Sequence, residues 1–240
     1  MTVQTSARLI EGAPIADEIR AGVARDVAEF TATNGHAPVL AVVVCGRSAP
    51  SMVYLERILK ACSAVGIEGR LVDVPGDDVE TQARELGAAV RGLSADAVVA
   101  GIIVQMPLPA GIRIRTVIDA IDPAKDIDGI HPLNAGLLRL GFEGFVPATA
   151  HAALEALERS GVPIEGAEVV VVGRSAVVGM PVASMLVKSG ATVTVCHSKT
   201  RDLAAHTRRA DIVVVAAGRP GLVTGSMLKP GVVVIDVGIN

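Results

Sequence analysis

The chain has 240 residues, 50% hydrophobic and 2% aromatic, with 22 basic and 25 acidic residues and a formal net charge of −3. That balance gives no general attraction for nucleic acid or anionic membrane, and one Tyr, three Phe and no Trp leave no base-stacking platform. A mean hydropathy of +0.51 raises the question of a membrane span, but the longest uncharged apolar stretch, residues 97–112, is broken by Gln105, Pro107 and Pro109.

Residues 1–12 carry one basic residue and no long apolar run, so no signal peptide is read and a cytoplasmic location is expected. Apolar, β-rich runs then recur at residues 39–45, 70–74, 97–104, 169–172, 191–196, 212–216 and 232–237. Helix-compatible segments lie at 17–33, 51–65, 79–93, 114–121, 150–160, 181–189, 201–208 and 224–228. The alternation predicts an α/β protein with parallel sheets. Between residues 122 and 149 Pro, Gly and Asp cluster and no strand is readable, which places a boundary between an N-terminal domain, 1–140, and a C-terminal domain, 141–240. Cys45, Cys62 and Cys196 are too few and too far apart for a metal knuckle or disulfide framework and read as buried reduced thiols.

In the first half, Gly101-Ile102-Ile103-Val104-Gln105-Met106-Pro107-Leu108-Pro109 reads as a buried strand ending in a polar residue and a proline-stiffened turn, the kind of strand end that forms a ligand crevice. Lys125-Asp126-Ile127-Asp128-Gly129 reads either as a bland turn or as a pair of metal-ligating carboxylates. No third oxygen-rich position follows at calcium-loop spacing, so no metal is expected.

In the second half, Val169-Val170-Val171-Val172 is a strand buried on both faces, and it runs into a loop bounded by Gly173 and Gly179. Glycines at a strand-to-helix turn let backbone N–H groups approach a pyrophosphate, and Pro181 suits the first turn of the helix that follows. Ser175 stands where G-x-G-x-x-G has its second glycine and the last glycine comes one residue late, so an ordinary strand-turn-helix fits as well. After the next strand come His197-Ser198-Lys199-Thr200, with no carboxylate to accept from a ribose 2′-hydroxyl. Ser198, Lys199 and Arg174 instead offer donors and charge for a 2′-phosphate, favouring NADP over NAD; a solvated basic turn is the alternative.

Taken together, Ser51-x-x-Tyr54 with Lys60 and Gly66-Ile67, Val104-Gln105-Met106-Pro107-Leu108-Pro109, Lys125-Asp126-Ile127-Asp128-Gly129, Gly173-Arg174-Ser175 with Val178-Gly179-Met180-Pro181, Cys196-His197-Ser198-Lys199-Thr200 and Asp236-Val237-Gly238-Ile239-Asn240 form an ordered set. This set resembles the methylenetetrahydrofolate dehydrogenase/cyclohydrolase family (FolD) over residues 9–240. The resemblance implies two α/β domains facing a cleft, the C-terminal one a Rossmann-like NAD(P)-binding domain with a parallel sheet, in a homodimer. It implies that Tyr54, Gln105 and Asp128 line the folate cleft, with Asp128 hydrogen-bonding the pterin. Gly173, Arg174, Ser175, Ser198 and Ile239 would bind NADP. The implied reaction, part of one-carbon metabolism, passes hydride from 5,10-methylenetetrahydrofolate to the nicotinamide and then hydrolyses the methenyl product to 10-formyltetrahydrofolate.

Three departures stand out. The family reads Tyr-x-x-x-Lys in the helix after the first strand, and that lysine is its general acid/base; here the sequence is Tyr54-Leu55-Glu56-Arg57-Ile58. Residues four apart share a helix face, so Ile58 holds the lysine's position. Lys60 lies about 200° around the helix from it, and Arg57, about 100° away, stays protonated at working pH. Second, Pro147-Ala148-Thr149-Ala150 replaces Pro-Cys-Thr-Pro, a change tolerable at a helix start. Third, the family continues past Asn240 through a Pro-Val-Pro-Gly-Gly-Val-Gly-Pro-Met-Thr segment that lines the cleft. A natural end at Asn240 would remove a wall of both sites, and a chain cut short there reads identically.

The expected function is NADP-dependent oxidation of 5,10-methylenetetrahydrofolate, with methenyl hydrolysis weak or lost. A non-catalytic nucleotide-binding paralogue or fragment is the second reading, and a dehydrogenase for another small substrate the third. His131 and His151, at a turn and a helix start, are given no catalytic role.

Overall fold

The computed structural model describes residues 7–46, 49–76 and 78–238, with side chains of the second helix described from residue 52 onward. Helix α1, Gly12–Asn34, is followed by β1, Val39–Cys45; α2, Ala49–Val65; β2, Glu68–Val74; α3, Val79–Ala95; and β3, Val99–Val104. Two shorter helices, α4, Arg115–Ile118, and α5, Pro132–Leu140, lead to α6, Ala148–Arg159. The second half runs β4, Glu168–Val172; α7, Gly179–Lys188; β5, Thr192–Cys196; α8, Leu203–Thr207; β6, Ile212–Val215; a 3-10 turn, Gly225–Met227; and β7, Val233–Asp236.

Every strand pairing is parallel, in a three-stranded sheet ordered β2-β1-β3 and a four-stranded sheet ordered β5-β4-β6-β7. β1 and β4 are central, which is why they read as unbroken apolar runs: Val42 and Val43 point to opposite faces and both are buried. On one face of the first sheet Ala41, Val43, Ile102 and Val104 pack with Leu86 and Val90 of α3. On the other, Val42, Val44 and Ile103 meet Leu55 and Ile58 of α2. The second core joins Val169 and Val171 to Ala153 and Leu157 of α6 and Val182 and Leu186 of α7.

α1 contacts both α2 and α6, and Glu18 pairs with Arg159 across that junction at 3.1 Å. All three cysteines are free and buried, and burial pushes each thiol up from its ordinary range. Among the described residues no helix is long and apolar enough to cross a membrane.

The strands lie where the apolar runs place them, within two residues at each end, but several helices differ. Residues 114–121 and 201–208 yield only Arg115–Ile118 and Leu203–Thr207, and 224–228 is a 3-10 turn. Helix α5 forms inside the segment read as irregular: Pro132 opens it, the His131 ring accepts from Leu133 N–H at 3.1 Å, and Gly141 closes it at φ 79°. Nine residues containing Pro, Asn and Gly carry too little periodicity to announce a helix. At the second departure, α6 starts directly after Pro147 and Ala150 is buried, so the helix entry forms without a proline there.

Candidate active site

Both strand orders reverse at their centres, and in open parallel sheets the crevice beyond the carboxyl ends at such a reversal receives the ligand. In the first sheet those ends belong to β1 and β3. Gln105 continues β3 by one rung, its N–H donating to Val43 O at 2.8 Å. By strand alternation it extends the face of Ile103, which packs in the same cluster as Ile58. The Gln105 amide donates to Met106 O at 2.8 Å, while its Oε1 is buried without a partner among the described residues. A buried acceptor in that state is ready for a donor from a ligand or water.

Asp128 follows a segment that runs alongside the same strand. Ile102 N–H donates to Lys125 O at 2.7 Å, and Ile102 forms a parallel bridge with Asp126, so residues 125 and 126 run alongside β3. Gly129 N–H then closes a turn on Asp126 O at 3.1 Å, leaving Asp128 inside it. Burial first, and the Asp126 charge second, push the Asp128 carboxyl up to about 6.

Tyr54, on α2, is 57% exposed. One turn on, Ile58 is half-buried against Val42, Val44 and Leu55, while Arg57 and Lys60 are exposed on other faces of the helix. Lys125 is committed elsewhere: its Nζ donates to Asp96 O at 2.7 Å, tying the loop to the end of α3. Neither lysine of this half, Lys60 or Lys125, therefore takes the place that Ile58 fills.

At the second reversal β4 ends beside β6. Gly173 has φ 129°, and a Cβ there would collide with the Ala216 carbonyl; a Cβ on Gly179 would strike the Gly173 carbonyl and lie 3.0 Å from Arg174 N. Backbone crowding thus requires glycine at both positions and lets the loop turn tightly at the start of α7. Ser175, in place of the second glycine, accepts from Val178 and Gly179 N–H through its Oγ, each at 3.2 Å. Next to it, Gly173 N–H donates to Cys196 O at 2.8 Å, and the turn carrying Ser198 is closed by Thr200 Oγ1 on His197 N–H at 2.8 Å. Both Arg174 and Ser198 are exposed. In residue types the segment suits a dinucleotide: a strand-to-helix turn that only glycine can make, a helix of ten residues behind it, and cationic and hydroxyl side chains at the next strand's end.

Arg174 also lines, with Arg139, Leu138, Phe145 and Met180, a groove of about 300 Å³ between α5 and α7, and Ser198 is not among its lining residues. Ile239, the remaining expected cofactor residue, lies outside the described residues, as do Asn240 and the side chain of Ser51. Among the described residues no cluster of three His, Cys, Asp or Glu could hold a metal ion. Sequence reasoning missed the buried pair Asp126 and Asn134 beneath Asp128, because its partners are eight residues apart and meet only once α5 forms.

Residues 10–128 match the catalytic domain of the tetrahydrofolate dehydrogenase/cyclohydrolase family, and residues 147–240 its NAD(P)-binding domain. The bifunctional protein FolD of Bordetella petrii is 48% identical over 236 residues, which is 98% of this chain and 79% of that protein. That of Heliobacterium modesticaldum is 47% identical over 98% of this chain and 80% of its own length. Among solved structures, the FolD methylenetetrahydrofolate dehydrogenase/cyclohydrolase of Campylobacter jejuni superposes with a TM-score of 0.92 at 38% identity, over 98% of this chain and 82% of that one. The Trypanosoma brucei enzyme, complexed with NADP cofactor and inhibitor, gives a TM-score of 0.91 at 38% identity, over 98% and 80%. With both halves matched in order and at these identities, the chain belongs to the tetrahydrofolate dehydrogenase/cyclohydrolase family.

Proposed function

We propose that the protein oxidises 5,10-methylenetetrahydrofolate to 5,10-methenyltetrahydrofolate with NADP, and that hydrolysis of the methenyl product is weak or lost. The folate half lies in residues 1–140 and the NADP half in residues 141–240, in a cytoplasmic homodimer whose state light scattering reports. Bound at the Gly173–Gly179 loop, NADP supplies the hydride acceptor. Arg174 and Ser198 would hold its 2′-phosphate, and Gly173, Ser175 and Ile239 would complete the NADP-binding set. Across the cleft Asp128 accepts from the pterin, Gln105 offers its unpartnered Oε1, and Tyr54 covers the exposed side.

The observation that carries this reading is Ile58 at the position facing Tyr54, packed into the Val42, Val44 and Leu55 cluster. The two half-reactions depend differently on a proton carrier there. Departure of hydride is driven by the folate nitrogen lone pairs, which leave a delocalised cation, so orientation and proximity dominate. Attack of water on that cation, and collapse of the adduct, require proton movement, a role worth roughly 10²–10⁴-fold when a side chain performs it. An alkyl group cannot perform it, Lys125 is bound to Asp96 O, and Lys60 and Arg57 face away. The test is Ile58→Lys: methenyltetrahydrofolate hydrolysis should rise by one to several orders of magnitude while hydride transfer changes little. An active dehydrogenase in which this change adds no hydrolysis would refute the assignment.

A non-catalytic nucleotide-binding protein also accommodates Ile58. It is distinguished by calorimetric NADP binding with no NADPH formed from methylenetetrahydrofolate.

A further inference from the structure

The loop that carries Asp128 is anchored by two buried polar side chains. Asp126 is 0% exposed and Asn134, on α5, 3%. Asp126 Oδ2 accepts from His131 N–H at 2.8 Å and from Asn134 Nδ2 at 2.9 Å. The Asn134 amide also donates to Pro123 O at 2.9 Å. One amide and one carboxylate thus join the start of the loop at Pro123, its centre at Asp126 and the first turn of α5.

A turn at residues 126–129 does not by itself require a carboxylate, since Gly129 N–H closes it on the Asp126 backbone carbonyl. Burying a carboxylate is costly unless its oxygens are matched with donors. Only one oxygen of Asp126 is matched; Oδ1 is buried with no partner among the described residues. The requirement for an acceptor-only side chain comes from the junction with α5, where a backbone N–H and an amide converge on one point. Asp128 sits two residues from that point, between the pinned positions 126 and 129, and feels the Asp126 charge.

We propose that Asp126 and Asn134 are positioning residues for the folate reaction, a strut between β3 and α5 that fixes where Asp128 meets the pterin. This rests on the folate reading of the site. The strut acts through Asp128, so its loss should appear as weaker folate engagement with the NADP side undisturbed.

The experiment uses the full chain with Asn134→Leu, which is near-isosteric and removes both amide bonds, and with Asp126→Asn, which keeps an acceptor. For Asn134→Leu the KM for methylenetetrahydrofolate should rise about tenfold, with kcat changing less than about threefold and the calorimetric NADP affinity within about twofold. Asp126→Asn should show a smaller shift in the same direction. In an Asp128→Asn background, Asn134→Leu should add no further rise in KM, since a strut has nothing left to position. An unchanged KM, an equal loss of NADP affinity, or a full multiplicative effect in the Asp128→Asn background would each overturn the proposal while leaving the folate reading intact. An unsubstituted protein that neither binds tetrahydrofolate nor oxidises the methylene form would overturn both.

Discussion

Replacing Asp128 by Asn should make the unliganded protein more stable at neutral pH and worse at its reaction. The carboxyl is raised from 3.8 to about 6 by burial and by the neighbouring Asp126 charge. At about 1.4 kcal/mol per pH unit the full displacement corresponds to roughly 3 kcal/mol, and solvent reaching the cleft brings the expected effect to about 1–3 kcal/mol. Between pH 4 and 6 the folded protein keeps a proton that the unfolded chain has released. The stabilisation is therefore fully present below about 3.8, declines as pH rises through that window and is gone above about 6. The amide introduced by Asp128→Asn does not titrate, so the urea-melt difference, variant minus unsubstituted, should grow from pH 4 to 6 and then level off. The ionised carboxylate is the form that accepts from the pterin, so kcat/KM for methylenetetrahydrofolate should fall on the acid side with an apparent pKa near 6, a limb the variant lacks. A stability difference that is flat with pH, or that shrinks from pH 4 to 6, would refute the assignment of Asp128 as a desolvated carboxylate.

Gly173→Ala should cost about 1–3 kcal/mol in thermal melts and weaken calorimetric NADP binding by more than about tenfold, because its φ is 129° and a Cβ would collide with the Ala216 carbonyl; near-native binding would remove the tight loop from the site. Arg174→Ala combined with Ser198→Ala should raise the KM for NADP about tenfold and leave the KM for NAD within about twofold. Equal effects on both cofactors would displace these residues from the 2′-phosphate. Lys125→Met should lower stability by about 1–2 kcal/mol through the lost bond to Asp96 O, with kcat for hydride transfer nearly unchanged. A large fall in kcat with normal melting would instead place Lys125 at the reacting folate rather than at the end of α3.

The strands were legible because a central strand of a parallel sheet must be apolar on both faces, and Val39–Cys45 and the valines of β4 satisfy that without ambiguity. The glycine loop was legible for a related reason, since backbone crowding at Gly173 and Gly179 restricts the residue type. Helix α5 was not, because its start depends on a histidine ring cap and a proline rather than on periodicity. At the candidate site, sequence placed Gln105 and Asp128 in motifs, and folding puts Gln105 on the carboxyl end of β3 and the segment leading to Asp128 alongside that strand. What sequence could not supply was the support underneath. Lys125 and Asp126 look like surface charges in a polar run, yet one is spent on the end of α3 and the other is wholly buried against Asn134. Such roles are fixed by contacts between segments, which neither spacing nor composition encodes.

The most direct test follows both half-reactions in one cuvette, with purified protein, methylenetetrahydrofolate and NADP. NADPH should appear at an enzymatic rate, and the methenyl absorbance should then decay no faster than it does without protein. Decay well above the spontaneous rate would contradict the account, because the chain would be moving a proton without a competent group facing Tyr54.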